Sequence, residues 1–171
     1  MRILLQDIPQ GHSIIERRED ATGLELESWC RPVGPLEVVL DVERREERLT
    51  LRGAVALDAE QECARCARPF RFHLEPEILL LAERRGTDAA DEAALEQDGE
   101  VLYHDGLELE LKQPIREALI LDLPVVLLCR PDCRGLCPQC GKDLNEGNCT
   151  CAPSAGDPRW EALKDLKNKP S

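Results

Sequence analysis

The amino-acid sequence predicts an α+β fold: an antiparallel sheet with one or two short helices, followed by a C-terminal cysteine-rich knuckle. Three observations lead there. Stretches of the first half alternate apolar and polar residues with a period near two, the pattern of a half-buried strand. One proline-bounded stretch, residues 112–124, switches to helical spacing. Six of the chain's nine cysteines fall between residues 129 and 151.

In chain order, "LEVVLDVE" (36–43) and "RLTLRGAVALD" (48–58) read as strands joined by a charged turn at 44–47. "FRFHLEPEILLLA" (70–82) continues the alternation, and Pro76 calls for an edge position or a bend. Residues 83–100 are acidic and small, which fits a mobile surface loop. "VLYHDGLELEL" (101–111) reads as a short strand pair around Asp105-Gly106. In "KQPIREALILDLP" Pro114 fits a first helical position, Ile115, Ala118 and Leu119 give the apolar stripe, and Pro124 stops the helix. "PVVLLC" then looks like a buried strand entering the cysteine cluster. In the closing "DPRWEALKDLKNK", Asp157 is an N-cap, Pro158 an N1 residue, and Lys164, Lys167 and Lys169 suit the negative end of the helix dipole. Trp160, Leu163 and Leu166 would dock this helix on its own domain or on a partner. The implied organisation is a sheet domain over 1–128, a cysteine-rich segment over 129–152, and a connector with a helix over 153–171.

At 171 residues and 42% hydrophobic, the chain can bury one ordinary core plus a small module. The start, MRILLQDIPQG, lacks the basic, apolar and small-residue regions of a signal peptide, and no apolar run nears the ~20 residues of a membrane span. The expectation is a soluble, cytoplasmic protein without a membrane partner. With 22 Lys and Arg against 34 Asp and Glu, the formal charge is −12, which opposes broad phosphate binding.

Nine cysteines in a reducing compartment point to metal or redox chemistry, not to a disulfide framework. Eight fall into pairs: Cys63 with Cys66, Cys129 with Cys133, Cys137 with Cys140, and Cys149 with Cys151. Tetrahedral zinc takes four thiolates at about 2.3 Å, and short spacers let one turn present two sulfurs to one ion. Gly135 and Gly141 permit a knuckle's tight backbone, and Pro131 and Pro138 limit its unfolded freedom. Spacing does not decide which pairs join. Local closure costs least loop entropy, so the favoured assignment is Cys137, Cys140, Cys149 and Cys151 on one zinc. Cys63, Cys66, Cys129 and Cys133 would then hold a second, with a free Cys63–Cys66 dithiol as its alternative. An ion closed by four thiolates has no open position and is structural.

Cys30 reads as a core thiol beside Trp29, against a stray ligand or a reactive thiol. His12, His73 and His104 stand alone in the sequence. No nucleophile triad, phosphate-cradling loop or dinucleotide fingerprint is present, so neither an enzyme nor a small-molecule substrate is expected. Basic residues cluster locally: Arg65, Arg68 and Arg71 after the first pair, and Arg130, Arg134 and Lys142 in the knuckle. They would either form an RNA-binding patch or offset nearby thiolate and carboxylate charge.

The blocks "ECARCARPF", "LDLPVVLLC", "DCRGLCPQCGKDLNEGNCTC" and "DPRWEALKDLK" together resemble the YceD family, the large ribosomal RNA subunit accumulation proteins, from about residue 37 onward. The resemblance implies a cytoplasmic role in large-subunit rRNA accumulation and ribosome biogenesis, with no known catalytic activity. It also implies a separate job for Cys63 and Cys66, since that pair recurs in the family where the six-cysteine knuckle is reduced. The partner would be a pre-ribosomal particle, met through rRNA or through a basic ribosomal protein drawn to the acidic surface. The competing class is a redox-regulated zinc switch or chaperone-like protein that ejects metal on oxidation.

Overall fold

The computed structural model describes residues 1–26, 29–84 and 101–151. Among them are nine strands and one α-helix: β1 (Arg2–Leu4), β2 (Gly11–Asp20), β3 (Arg31–Pro32), β4 (Pro35–Arg45), β5 (Arg48–Glu62), β6 (Pro69–Leu74), β7 (Glu77–Arg84), β8 (Val101–His104), β9 (Glu108–Glu110) and α1 (Lys112–Asp122). Seven strands form one sheet along the path β2-β4-β5-β7-β8, with β3 and β6 also pairing to β5; β1 and β9 form a separate ribbon.

Alternation builds the sheet as the sequence predicts. Leu36, Val38, Leu40 and Val42 of β4 point inward, and Leu49, Leu51, Val55, Leu57 and Ala59 of β5 meet them. The charged turn is a tight hairpin closed by Arg45 opposite Arg48. Gly53 is required where it stands: a Cβ there would lie 1.9 Å from the Val39 carbonyl oxygen. Cys30 belongs to this core.

The long β5 organises everything else. Residues 48–54 lie between β4 and β7, while residues 57–62 pair with β6 and, at 59–60, also with β3. Pro76 sits at the break between β6 and β7, which therefore pair with different halves of β5. In this way β5 carries the chain out of the main core and delivers Cys63 at its end.

Four expectations need correction. The sheet is mixed, because β8 pairs parallel with β7. The stretch 101–111 is not a hairpin: its turn exists, with the Asp105 carboxylate accepting from the N–H groups of Leu107 and Glu108 at 2.8 and 3.2 Å, but β9 leaves to pair with β1. Arg2, bonded to Glu110 at 2.7 Å, secures that partner, and His104 accepts from the Gly106 N–H at 3.1 Å while its other nitrogen donates to the Glu47 carbonyl at 3.0 Å. Helix α1 begins at Lys112, so Pro114 is its third residue, still within the turn whose N–H groups need no intrahelical partner. Finally, residues 124–129 form no strand; Val125 is fully exposed, and a bond from the Ala64 N–H to the Leu127 carbonyl at 2.9 Å, not a strand ladder, ties the run to the hairpin. A short apolar run does not reveal its conformation by periodicity.

Strand β7 continues through Arg84, two residues into the expected acidic loop. The remainder of that loop, 85–100, and the connector and helix expected over 153–171 lie outside the described residues.

Candidate metal centres

The first centre is built at the turn between β5 and β6. Cys63 follows the last residue of β5, and its backbone closes a knuckle: the Cys63 N–H donates to the Arg68 carbonyl at 2.9 Å, and the Ala67 N–H to the Cys63 carbonyl at 2.9 Å. Ala67 takes a left-handed conformation with φ 56° to make this turn. The second knuckle repeats the pattern. There the Cys137 N–H donates to the Lys142 carbonyl at 2.8 Å and the Gly141 N–H to the Cys137 carbonyl at 2.9 Å, with Gly141 at φ 71°. Both turns aim backbone N–H groups at their first sulfur.

These knuckles gather two sets of four sulfurs. Cys63, Cys66, Cys129 and Cys133 lie with their Sγ atoms within 4.8 Å of one another, as do those of Cys137, Cys140, Cys149 and Cys151. Sγ–Sγ separations are 3.7 Å for Cys63–Cys133, 3.7 Å for Cys66–Cys129 and 3.4 Å for Cys137–Cys149. A disulfide would need about 2.05 Å. A tetrahedron with metal–sulfur arms of about 2.3 Å has edges of about 3.8 Å. Each set could therefore hold a metal ion, and an all-thiol donor set suits a soft or borderline cation over magnesium or calcium.

Within each set the thiols are shifted in opposite directions. Backbone N–H groups of Cys129, Cys66 and Arg65 pull the Cys63 thiol down to about 6 against the penalty of burial. Burial, with the neighbouring sulfurs adding to it, pushes Cys129 up to about 12. In the second set the N–H groups of Cys140 and Gln139 bring Cys137 to about 6, while the Cys140 sulfur and then burial push Cys151 to about 12. One sulfur of each set is thus held low by backbone N–H groups and another held high by burial and neighbouring sulfurs, and a cation bound among them would favour the thiolate form of all four.

The surroundings differ. Cys63, Cys66 and Cys133 are buried with Phe70, Leu128 and Cys129 packed around them, whereas Cys140 of the second set is exposed. Arg65 clamps the first set. Its guanidinium donates to the Cys133 carbonyl at 2.7 Å and its own carbonyl accepts from the Leu136 N–H at 3.1 Å. Gly135 is needed beside it, since a Cβ would meet the Arg65 carbonyl oxygen at 2.9 Å and φ is +74°.

The other cations are similarly engaged. Arg68 pairs with Asp143 at 2.8 Å and with Glu146, and Arg71 reaches Glu60 at 3.9 Å. Arg130 donates to Asn145 at 2.7 Å and lies 3.5 Å from Asp132. Arg134 and Lys142 donate to neutral oxygens of Asn148 at 2.8 and 3.0 Å. His12 and His73 pair with Asp41 and Asp58 at 2.8 Å each. Sequence reasoning missed Asn145. Its amide bonds the Cys133 sulfur at 3.5 Å and Asp143 at 2.7 Å, and its oxygen accepts from the Arg134 N–H at 2.8 Å, stitching the two centres together. The run "KDLNEGN" carried the signal, three side chains that bond back to their own loop.

A family model described as large ribosomal RNA subunit accumulation protein YceD matches residues 51–167. The chain belongs to the YceD family. An uncharacterized protein of Mycobacterium tuberculosis is 36% identical over 139 residues, 77% of this chain and 61% of the relative. A chloroplastic protein of Zea mays, named as a large ribosomal RNA subunit accumulation protein YCED homolog, is 30% identical over 159 residues, covering 78% and 52% of the two chains. Its counterpart of the same name in Arabidopsis thaliana is 25% identical over 182 residues, 91% of this chain and 57% of the relative. The chain thus spans about half to three-fifths of the length of these curated relatives. No solved structure matches. Among the described residues, no helix is long and apolar enough to cross a membrane.

Proposed function

We propose that this protein is a non-enzymatic, zinc-stabilised factor that supports accumulation of the large-subunit ribosomal RNA in the cytoplasm, acting on a pre-ribosomal particle. The observation that carries the reading is the pair of four-sulfur sets with near-tetrahedral spacing, in a chain of a family described by that role. Zinc, when bound, supplies four-coordinate structural closure. The residues of the chain do the rest: Cys63 and Cys66 hold the end of the sheet to Cys129 and Cys133, Arg65 and Asn145 fix the orientation of that joint, and Cys137, Cys140, Cys149 and Cys151 shape the outer knuckle. Arg65 and Arg68 are spent on internal contacts. An rRNA contact would therefore fall to Arg134 and Lys142, whose partners are neutral, with Arg71 and Arg130 at its margin.

Native mass spectrometry counting metal in the purified chain, paired with the ratio of large- to small-subunit rRNA in a deletion strain, tests both halves. Two zinc ions and a depressed ratio are expected. A metal-free chain would remove the first half, and an unchanged ratio the second. Exposure of Cys140 favours one second reading, an oxidisable outer site. There two thiolates would form a disulfide as hydrogen peroxide and two protons become two waters, with zinc released. Loss of one zinc under mild peroxide would support it.

A further inference from the structure

A broad groove of about 1030 Å³ runs between β7–β8 and α1. Its strand wall follows from the register, where Ile78 pairs with Gly53 in the half of β5 away from Cys63, while Asp122 at its helix end also borders the hollow lined by Phe70 and Leu128. The apolar wall is not closed off by the fold. Leu79 is 60% exposed, Leu81 44% and Leu121 85%, although Ile115 and Leu119 on the other side of the same helix are fully buried. Leu121 thus extends the apolar surface of α1 beyond the stripe that the core uses.

The rim carries one sign of charge. Glu77, Glu110, Glu117 and Asp122 line the groove, and among the described residues no lysine or arginine does. Glu110 is committed to Arg2, but Glu77, Glu117 and Asp122 make no ion pair among the described residues. An apolar floor with unneutralised carboxylates along its edges is complementary to a helix with leucine-like anchors three and four residues apart and lysine or arginine on its flanks.

The geometry points to this groove as the docking site for a basic amphipathic helix of a separate protein partner. The chain's own segments fit it less well. Residues 85–100 carry six carboxylates against one arginine and would be repelled. Residues 152–171 set Asp157, Glu161 and Asp165 against four cations and so offer almost no net charge. A second copy would bring another acidic rim, at a formal charge of −12 per chain.

The probe is a fluorescein-labelled 14-residue helical peptide with leucines at i, i+3, i+4 and i+7 and lysines elsewhere, titrated against the full chain at physiological salt. Its scrambled isomer serves as the control. The expected result is saturable binding weakened at least tenfold by Leu121→Glu and by Leu79→Glu, and several-fold by Glu117→Gln combined with Asp122→Asn. Leu107→Glu, equally exposed but outside the groove, should leave it unchanged. Because Leu121 and Leu79 face solvent, these variants are expected to fold, and circular dichroism checks that they do. Absence of saturable binding, equal binding by all variants, or equal binding of the scrambled peptide overturns the proposal. So does binding that emerges only after residues 152–171 are removed, which would name the chain's own tail as occupant. A dimer that Leu121→Glu dissociates in sedimentation would instead name a second copy.

Discussion

The two sulfur sets use the same turn for different ends. Cys63 and Cys133 are 70 residues apart, whereas Cys137 and Cys149 are 12 apart. Closing the longer loop costs about 1.5 kcal/mol more chain entropy. With a metal bound, the first set would fasten the end of the sheet to the cysteine-rich segment, alongside the Arg65 and Arg68 contacts and inside an apolar pocket. The second orders a segment too polar to bury a core of its own. With metal bound, identical donor chemistry would act as a long-range fastener in one place and as a substitute core in the other.

The largest expected effect separates these jobs. Cys133→Ser should lose one metal ion and several kcal/mol of stability, a good part of the ~10–16 kcal/mol that structural zinc contributes. It should also open Arg134 and Lys142 to trypsin. Cys149→Ser should lose one ion as well, with cleavage confined to Lys142. Matching proteolysis maps for the two variants would erase the distinction.

Next comes the clamp between the sets. Gly135→Ala forces a Cβ against the Arg65 carbonyl at positive φ and should cost about 1–3 kcal/mol, read as a lower thermal midpoint in zinc-replete buffer. Gly141→Ala in the outer knuckle meets no atom within 4 Å and should cost less, through φ alone. The reverse order would mean that the outer turn bears more of the strain.

A smaller effect tests whether the two turns are equivalent. Ala67 occupies the left-handed position that Gly141 holds in the second knuckle. Ala67→Gly relieves about 1–2 kcal/mol of backbone strain and adds unfolded-state entropy worth up to about 1, so a modest rise in the thermal midpoint is expected. A fall would show that the methyl group packs usefully.

The smallest concerns the hairpin that presents the first set. The Asp58 hydrogen bond, with carboxylate charge nearby, raises the pKa of His73. A raised pKa in the folded state means that this pair's contribution is complete below the unfolded value of about 6.5 and fades as pH climbs through the folded one. Asp58→Asn should lower the His73 midpoint in an NMR titration without changing metal content, and a change in metal content would tie the hairpin surface to the centre.

Much of this was legible in the sequence, for reasons that differ by residue. Period-two alternation disclosed β4 and β5 because each is buried on one face only. The pairs Cys63–Cys66 and Cys137–Cys140 announced their knuckles because the turn needs only its spacing. What stayed hidden depended on distant partners: β9 chose β1 over β8, and β8 lay parallel to β7 across a sixteen-residue gap in the described chain. Residues 124–129 resembled a strand because apolar content does not say whether a chain is paired or merely leaning on Phe70 and Phe72. The basic residues were visible, but not their engagement with carbonyls and Asn145, which requires the folded loop.

The long span of the first centre also sets an order of events during synthesis. Cys66 leaves the peptidyl-transferase centre 63 residues before Cys129. At about 5–20 residues per second, the hairpin waits roughly 3–13 s with two of its four sulfurs in hand. For that interval the nascent chain displays an incomplete thiol pair at the end of a strand that can already pair. Its final shape is sealed only when Cys129 and Cys133 arrive.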